Sequence, residues 1–460
     1  MAALLAQATA MAKKQAKSAA DAAAAATLAK GLGADAMPLL TAAGGPTESI
    51  GFFAGVGTFL STNGKNIAIG LAIAVAVGLL IWAAVNYVQN YSKNKAASLT
   101  PEEQKSKVVD LANELNASTS KTVVTTTKEG FESGGIAPVD PEQYSMVNIQ
   151  PLAIKQIGYI GPVNDGQFDE QTGTTQALRA GFRSFVFQID YLNREPEIPV
   201  LVYRNDNITL ISKNTGSIAK VAEAIANLAF RPEVPKYTEP VVIYLHFLRA
   251  PKDDPTADTS EYMLFLSKVA KALAPLAPQH LNMTPNGAFR RQMQESSLLT
   301  TPFSSFNHGQ VIILSNADTT NFRTHKPPIN PAEDLDYWVN MRVYMSTSVD
   351  TVGSLGVTVA PPKGITPAAI VVSLPKLLAL SQKEIDAFIA ETKYQFVIAI
   401  PSQKDNPTSD ELNTSLNKLG LNMIPLDIFS HDIQEVKTLV GLYNNLTYRP
   451  KPLGLRIATS

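Results

Sequence analysis

The sequence predicts an α/β protein in which residues 147–460 close into a (β/α)8 TIM-like barrel, preceded by a transmembrane helix and an alanine-rich helical arm. Three observations lead there. From about Val147 onward, short apolar runs alternate with helical stretches, as in parallel strands joined by crossover helices. Nineteen consecutive residues, Ile67 to Val85 (IAIGLAIAVAVGLLIWAAV), carry no charged or polar side chain. At about 1.5 Å rise per residue such a helix matches the thickness of a hydrocarbon core. Residues 1–49 are dominated by alanine.

Alanine favours the helix but buries little surface, so residues 1–49, whose main charges are Lys13, Lys14, Lys17 and Lys30, form an arm that orders only against something else. Residues 50–66 begin with IGFFAGVGTFL, too short to cross a bilayer and suited to its interface or to packing as a small buried helix. The membrane helix is assigned to residues 67–88. Trp82 and Tyr87 mark one interface. Gly70, Ala74 and Gly78 recur every fourth residue and leave one face open to close helix–helix contact. Within about twenty residues of the span, Lys93, Lys95 and Lys105 follow it and Lys65 alone precedes it, which puts the C-terminal domain on the cytosolic side. The sequons at Asn116, Asn207, Asn282, Asn413 and Asn445 are then chance matches.

Residues 89–146 read as a polar stalk with one amphipathic helix at 100–117. Thr100 is the cap, Pro101 the first helical residue and Glu103 the return partner, and Val108, Leu111, Ala112 and Leu115 follow at helical spacing. In the barrel, strands are expected at 157–160, 184–190, 199–203, 240–246, 310–315, 340–345, 394–400 and 420–428. Helices are expected at 174–181, 215–230, 258–276, 366–391 in part and 431–445. A doubly wound open sheet is the competing architecture.

Composition excludes several classes of function. The 39 Lys+Arg balance 40 Asp+Glu, so no field steers the chain onto nucleic acid, and no nucleic-acid partner is expected. With no cysteine, disulfides, thiolate metal sites and cysteine nucleophiles are all ruled out. No cofactor motif is present.

The barrel segment resembles the X region of phosphoinositide-specific phospholipases C. Gly181-Phe182-Arg183 followed by Phe185-Val186-Phe187-Gln188-Ile189-Asp190 is similar to that family's "GCRCVELDCWDG". Pro199 to Tyr203 and Ile211-Ser212-Lys213 are similar to "PVVYHGHTLTSKI", and Ala222 to Phe230 to the helix "VIEAIKDYAF". Tyr448 to Arg456 is similar to the closing "YVLKPxxLR". The resemblance implies a phosphodiesterase-type barrel whose chemistry needs two histidines and carboxylates around calcium. Where it implies the first histidine, this chain has Gly161-Pro162-Val163-Asn164-Asp165; where it implies the second, Tyr203-Arg204-Asn205-Asp206. The family's glutamate falls near His246, and only Asp190 is kept.

Asn164, Asp190, Arg204 and His246 are therefore the candidates for a relic pocket, with no catalytic or metal site expected. His246, His280, His308, His325 and His431 are scattered singly. An ion pair of Arg204 with Asp206 or Glu195 is favoured over phosphate binding with Lys213, and Glu333-Asp334-Leu335-Asp336 reads as a solvated helix start.

These features lead to the expectation of an inactive, membrane-tethered barrel with a structural role. The arrangement, including Lys128-Glu129-Gly130-Phe131-Glu132 after the membrane helix, also resembles virion membrane proteins of large icosahedral DNA viruses. That resemblance implies a minor capsid or membrane–capsid linking protein whose partners are the bilayer, through residues 67–88, and capsid proteins. The competing expectations are a membrane-tethered phosphodiesterase with a rearranged site around Asp190, Arg204 and His246, and a phosphoinositide head-group binding module.

Overall fold

A computed structural model describes residues 100–123, 145–192, 195–205, 209–251, 260–281, 295–302, 309–324, 330–349, 356–402, 405–444 and 446–457. The alanine-rich arm, the interfacial segment and the span 67–88, with Ile67, Gly70, Ala74, Gly78, Trp82 and Val85, lie outside the described residues, as do His308 and His325. Among the described residues no helix is long and apolar enough to cross a membrane.

The core is a curled, mostly parallel sheet. Its strands are β1 (Ile149–Ile154), β4 (Ser184–Leu192), β6 (Val241–Phe247), β7 (Val311–Ser315), β8 (Met341–Met345), β9 (Ala369–Ser373), β10 (Phe396–Ile400) and β11 (Ile424–Leu426). They run in the order β10-β9-β8-β7-β6-β4-β1-β11, with every neighbouring pair parallel. The two ends of this series meet. Ile398 of β10 bridges Met423 beside β11, with the Ala399 N–H donating to the Met423 carbonyl at 2.9 Å and the Met423 N–H to the Val397 carbonyl at 3.0 Å. Three short strands are accessory. β2 (Tyr159–Ile160) and β3 (Gln167–Phe168) form a hairpin, and β12 (Tyr448–Pro450) pairs antiparallel with β1. A longer one, β5 (Glu195–Leu201), folds back antiparallel on β4.

Side-chain alternation divides the sheet residues between two buried clusters. Val186, Val242, Tyr244, Leu314, Val371 and Ile398 belong to one cluster, which fills the concave side. Phe185, Phe187, Ile243, Ile313, Val372 and Val397 belong to the other, shared with the helices outside. Those helices are α1 (Pro101–Val123), α2 (Glu170–Arg179), α3 (Ile218–Leu228), α4 (Glu261–Ala272), α5 (Gln382–Thr392), α6 (Ser409–Asn417) and α7 (Ile433–Gly441). Each begins where a side chain satisfies an orphan N–H: Asp169 accepts from Thr172, Ser260 from Met263 and Asp432 from Gln434. α2 approaches the backbone at Gly158 through Gly173, where a Cβ would lie 2.8 Å from the Gly158 carbonyl carbon, so no larger residue fits.

Several expected boundaries change. The first sheet strand is 149–154, not 157–160, which is only a hairpin arm. The segment 199–203 holds the end of an antiparallel return strand instead of a parallel one. The segment 369–373, read as the start of a helical stretch, is β9, and α6 was not foreseen. The helix expected in the stalk also packs on this unit: Val108, Leu111, Ala112 and Leu115 are at most 4% exposed and join the outer cluster.

Candidate functional site

In a parallel curled sheet the residues just past the strand C-termini converge, and sites on such folds form there. In this chain those positions hold Lys155 and Gln156 after β1, Gln188 and Asp190 at the end of β4, His246 on β6, Arg249 beyond it and Asp427 after β11. Register aligns Gln188 with His246 and Ile189 with Phe247, so the ends of β4 and β6 lie side by side.

Asp190 is fully buried, and its charge is met within the chain. One carboxylate oxygen accepts from Arg249 Nε at 2.8 Å and from the Tyr191 N–H at 2.7 Å. The other accepts from Arg204 Nε, whose side chain is 9% exposed. Arg249 also donates to the Tyr191 carbonyl at 2.8 Å and lies 4.7 Å above the Tyr191 ring centroid. Both oxygens of the Asp190 carboxylate thus face guanidinium groups. The favoured partner of Arg204 was Asp206 or Glu195; Arg204 pairs with Asp190, and Asp206 and the Glu195 side chain lie outside the described residues.

A second polar group crosses the end of β1. Tyr203 donates to Asp427 Oδ2 at 2.7 Å. Burial, and then the Asp427 charge, push the Tyr203 hydroxyl far above the ordinary tyrosine range, so it stays protonated as a donor. His431 stands between two carboxylates, with Nδ1 3.4 Å from Glu435 and Nε2 4.0 Å from Asp427. The Asp427 N–H donates to the Asn406 side-chain oxygen at 2.7 Å, and the Asn406 amide returns a bond of 2.7 Å to the Asp427 carbonyl. Gln156 donates to Gln188 at 2.7 Å, and Lys155, 2% exposed, donates to the Ser402 carbonyl at 2.6 Å, tying β1 to the end of β10.

Of the four relic-pocket candidates, Asp190 and Arg204 meet directly. His246 is fully buried on the strand beside Asp190, its ring stacked on Tyr244 with centroids 5.3 Å apart. Asn164 is exposed in the β2–β3 turn, on a different element. With β1 at 149–154, the residues that directly follow the first strand are Lys155 and Gln156, so Gly161 to Asp165 do not occupy that place. Lys213 is exposed. His280 is a core residue, fully buried, donating from Nε2 to the Trp338 carbonyl at 2.8 Å. The acidic run is not solvated throughout: Asp334 and Asp336 are each 6% exposed, and Asp336 accepts from Thr319. Arg249 and the Tyr203–Asp427–His431 group escaped the sequence reading.

Calcium, which the family resemblance implies, does not fit this arrangement. The single retained carboxylate has both oxygens engaged by guanidinium groups, whereas calcium takes six to eight oxygen ligands in roughly that range. Among the described residues no group of three or more His, Asp or Glu is placed to hold a metal ion.

No protein-family model and no curated protein matches the sequence. Among solved structures, PLC21 of L. pealei is similar at 14% identity and a TM-score of 0.45, covering 69% of this chain and 38% of that one. PLC21 of S. officinalis is similar at 15% identity and a TM-score of 0.46, with the same coverage. The chain thus spans well under half the length of either.

Proposed function

We propose that this chain is a structural protein: a phospholipase C-like (β/α)8 barrel without phospholipase chemistry, tethered to a membrane by residues 67–88. In that role it links a virion's internal membrane to its capsid as a minor capsid protein. The observation that supports the inactive reading is the Asp190 triad. A carboxylate that must recruit a metal or accept a proton has to be available, and here Arg204 and Arg249 take both oxygens. The membrane and virion parts draw support from the apolar span and the sequence resemblance.

The test is a phosphodiesterase assay of residues 96–460, which form one compact unit, on phosphoinositide and glycerophosphodiester substrates with and without calcium. No turnover above an Asp190→Asn control supports the structural reading. Turnover that the control abolishes overturns it in favour of a rearranged site around Asp190, Arg204 and His246. A second reading, recognition of an anionic head group without hydrolysis, has one observation in its favour: Arg249, beside the buried Asp190, is 28% exposed. Binding to anionic vesicles that Arg249→Gln abolishes would select it.

A further inference from the structure

The last strand, β12, stands apart from the sheet it joins. Residues 152–154 of β1 pair with β11 and β4, whereas Ile149, Gln150 and Pro151 have β12 as their strand partner. β12 can therefore leave without opening the ladder that closes the barrel. What holds it is a row of side chains at the N-terminal end of the barrel. Arg449, 4% exposed, donates from Nη1 to the carbonyl of Leu442, the C-cap of α7, at 3.2 Å, and from Nη2 to Asn417, the last residue of α6. Lys451, fully buried, donates from Nζ to the carbonyl of Thr392, the last residue of α5, at 2.7 Å. Cations suit helix C-termini, where carbonyls lack intrahelical partners and the dipole is negative. Tyr448 adds a bond of 2.7 Å to the Pro240 carbonyl.

Lys451 is the weak point of this arrangement. An ammonium group carries several N–H donors. Among the described residues, its side chain has one hydrogen bond, that to Thr392, and no carboxylate within ion-pair distance. The charged groups on the elements around it do not compensate it. Glu391, beside Thr392, bonds to Ser348; Lys393, Arg449 and Arg456 share its sign; and β1 has no charged residue. Burial alone lowers its proton affinity, from 10.5 to about 7.

We propose that residues 447–455 are a proton-controlled clasp: they open as a unit from the N-terminal end of the barrel while the sheet stays closed, and the charge on Lys451 sets how often. An ammonium is stable in water and unfavourable where it is buried without a counter-charge, so protonation favours the open clasp and loss of the proton the closed one. Below about pH 7 both forms carry the proton and opening is constant. From about 7 to 10.5 only the open form holds it, so opening falls as pH rises. Opening uncovers the C-terminal ends of α5, α6 and α7 and the first half of β1, at the end of the barrel away from Asp190. The inference stands on the β12 contacts and does not rest on the function proposed above.

The chain has no native thiol, so one introduced cysteine reports opening. Thr447→Cys, at a site 4% exposed beside β12, is compared with Thr174→Cys, fully buried in α2, in full-length chains treated with iodoacetamide under native conditions. At pH 7 the Thr447→Cys chain should be alkylated at least tenfold faster. Adding Lys451→Met should slow that reaction, by a factor that shrinks at least tenfold between pH 7 and 9. Comparing the two backgrounds at each pH cancels the ionisation of the thiol itself. Hydrogen exchange of the unmodified chain reads the same event without a cysteine: the amides of residues 447–455 should exchange ahead of those of β6. Equal alkylation of the two cysteines, none of either, or equal protection of residues 447–455 and β6 places the opening in global unfolding and overturns the proposal. A Lys451→Met effect that does not change with pH shows that the charge does not control the clasp, and also overturns it.

Discussion

Replacing Asp190 with Asn separates a structural ion triad from an idle active-site carboxylate. In the native chain Asp190 is fully buried and bonded to Arg204, Arg249 and the Tyr191 N–H. Removing its charge takes a buried carboxylate partner from the Arg204 guanidinium, whose side chain is only 9% exposed. Breaking one partner of a buried pair costs about 3–5 kcal/mol, chiefly because the surviving charge is left without compensation. Arg249 is 28% exposed and solvated when released, so its share is about 1 kcal/mol or less. Asp190→Asn should therefore destabilise residues 96–460 by about 3–4 kcal/mol in urea unfolding, Arg204→Met by about 3 and Arg249→Met by about 1. Asp190→Asn/Arg204→Met should cost less than the sum of its parts, since the second change removes the guanidinium whose partner the first removes. A loss below about 1 kcal/mol for Asp190→Asn would refute the reasoning, because it would mean that solvent and not protein balances the carboxylate. Calcium gives an independent check. Millimolar calcium should leave the wild-type Tm unchanged, and a calcium-dependent rise abolished by Asp190→Asn would show that a metal displaces the arginines.

Other sites make separate predictions. Burial lowers the Lys451 ammonium from 10.5 to about 7, with Nζ donating to the Thr392 carbonyl at 2.7 Å. Between those values the unfolded chain binds the extra proton, so stability rises with pH from about 7 toward 10.5. The slope contributed is up to about 1.4 kcal/mol per pH unit, and Lys451→Met should remove it from a pH series of urea midpoints. Burial lowers His280 from 6.5 to about 4. Its neutral ring therefore loses stability for the fold as pH falls from 6.5 toward 4, and an NMR titration should find it uncharged at pH 5. Leu115→Ala, at a site 1% exposed, should cost about 2–3 kcal/mol and speed hydrogen exchange within α1 more than in β6. Gly356 has φ +70, and a Cβ there would lie 2.0 Å from the Phe247 carbonyl oxygen, so Gly356→Ala should lower Tm by several degrees.

What could be read from the sequence follows from how local each signal is. β4 and β6 hold the apolar runs Phe185–Phe187 and Val241–Leu245, and both strands were found to within two residues at each end. β1 reads IQPLAI, where Gln150 and Pro151 interrupt the pattern; it forms because Pro151 pairs with Tyr448 of β12, and Gln150 donates to the carbonyls of Leu416 and Leu421. β9 runs straight into the helical turn Leu374–Leu378 through Ser373, with no Gly or Asn between them, so its apolar run merged with the helix beyond. The site was legible as residue types but not as pairs. Asp190 and Arg204 stand fourteen positions apart and were each noticed, yet an ion pair was sought among neighbours in sequence.

Register was the missing step. Since Ile189 aligns with Phe247, Arg249 falls two positions beyond that partner, at the height of Tyr191 and within reach of Asp190. The same reasoning applies to α1. Helical spacing announces that Val108, Leu111 and Leu115 will be covered, but says nothing about what covers them. The deciding contact, Glu114 with Lys437, joins residues 323 positions apart, and only folding brings α7 to one edge of α1 and Asp169, the cap of α2, to the other.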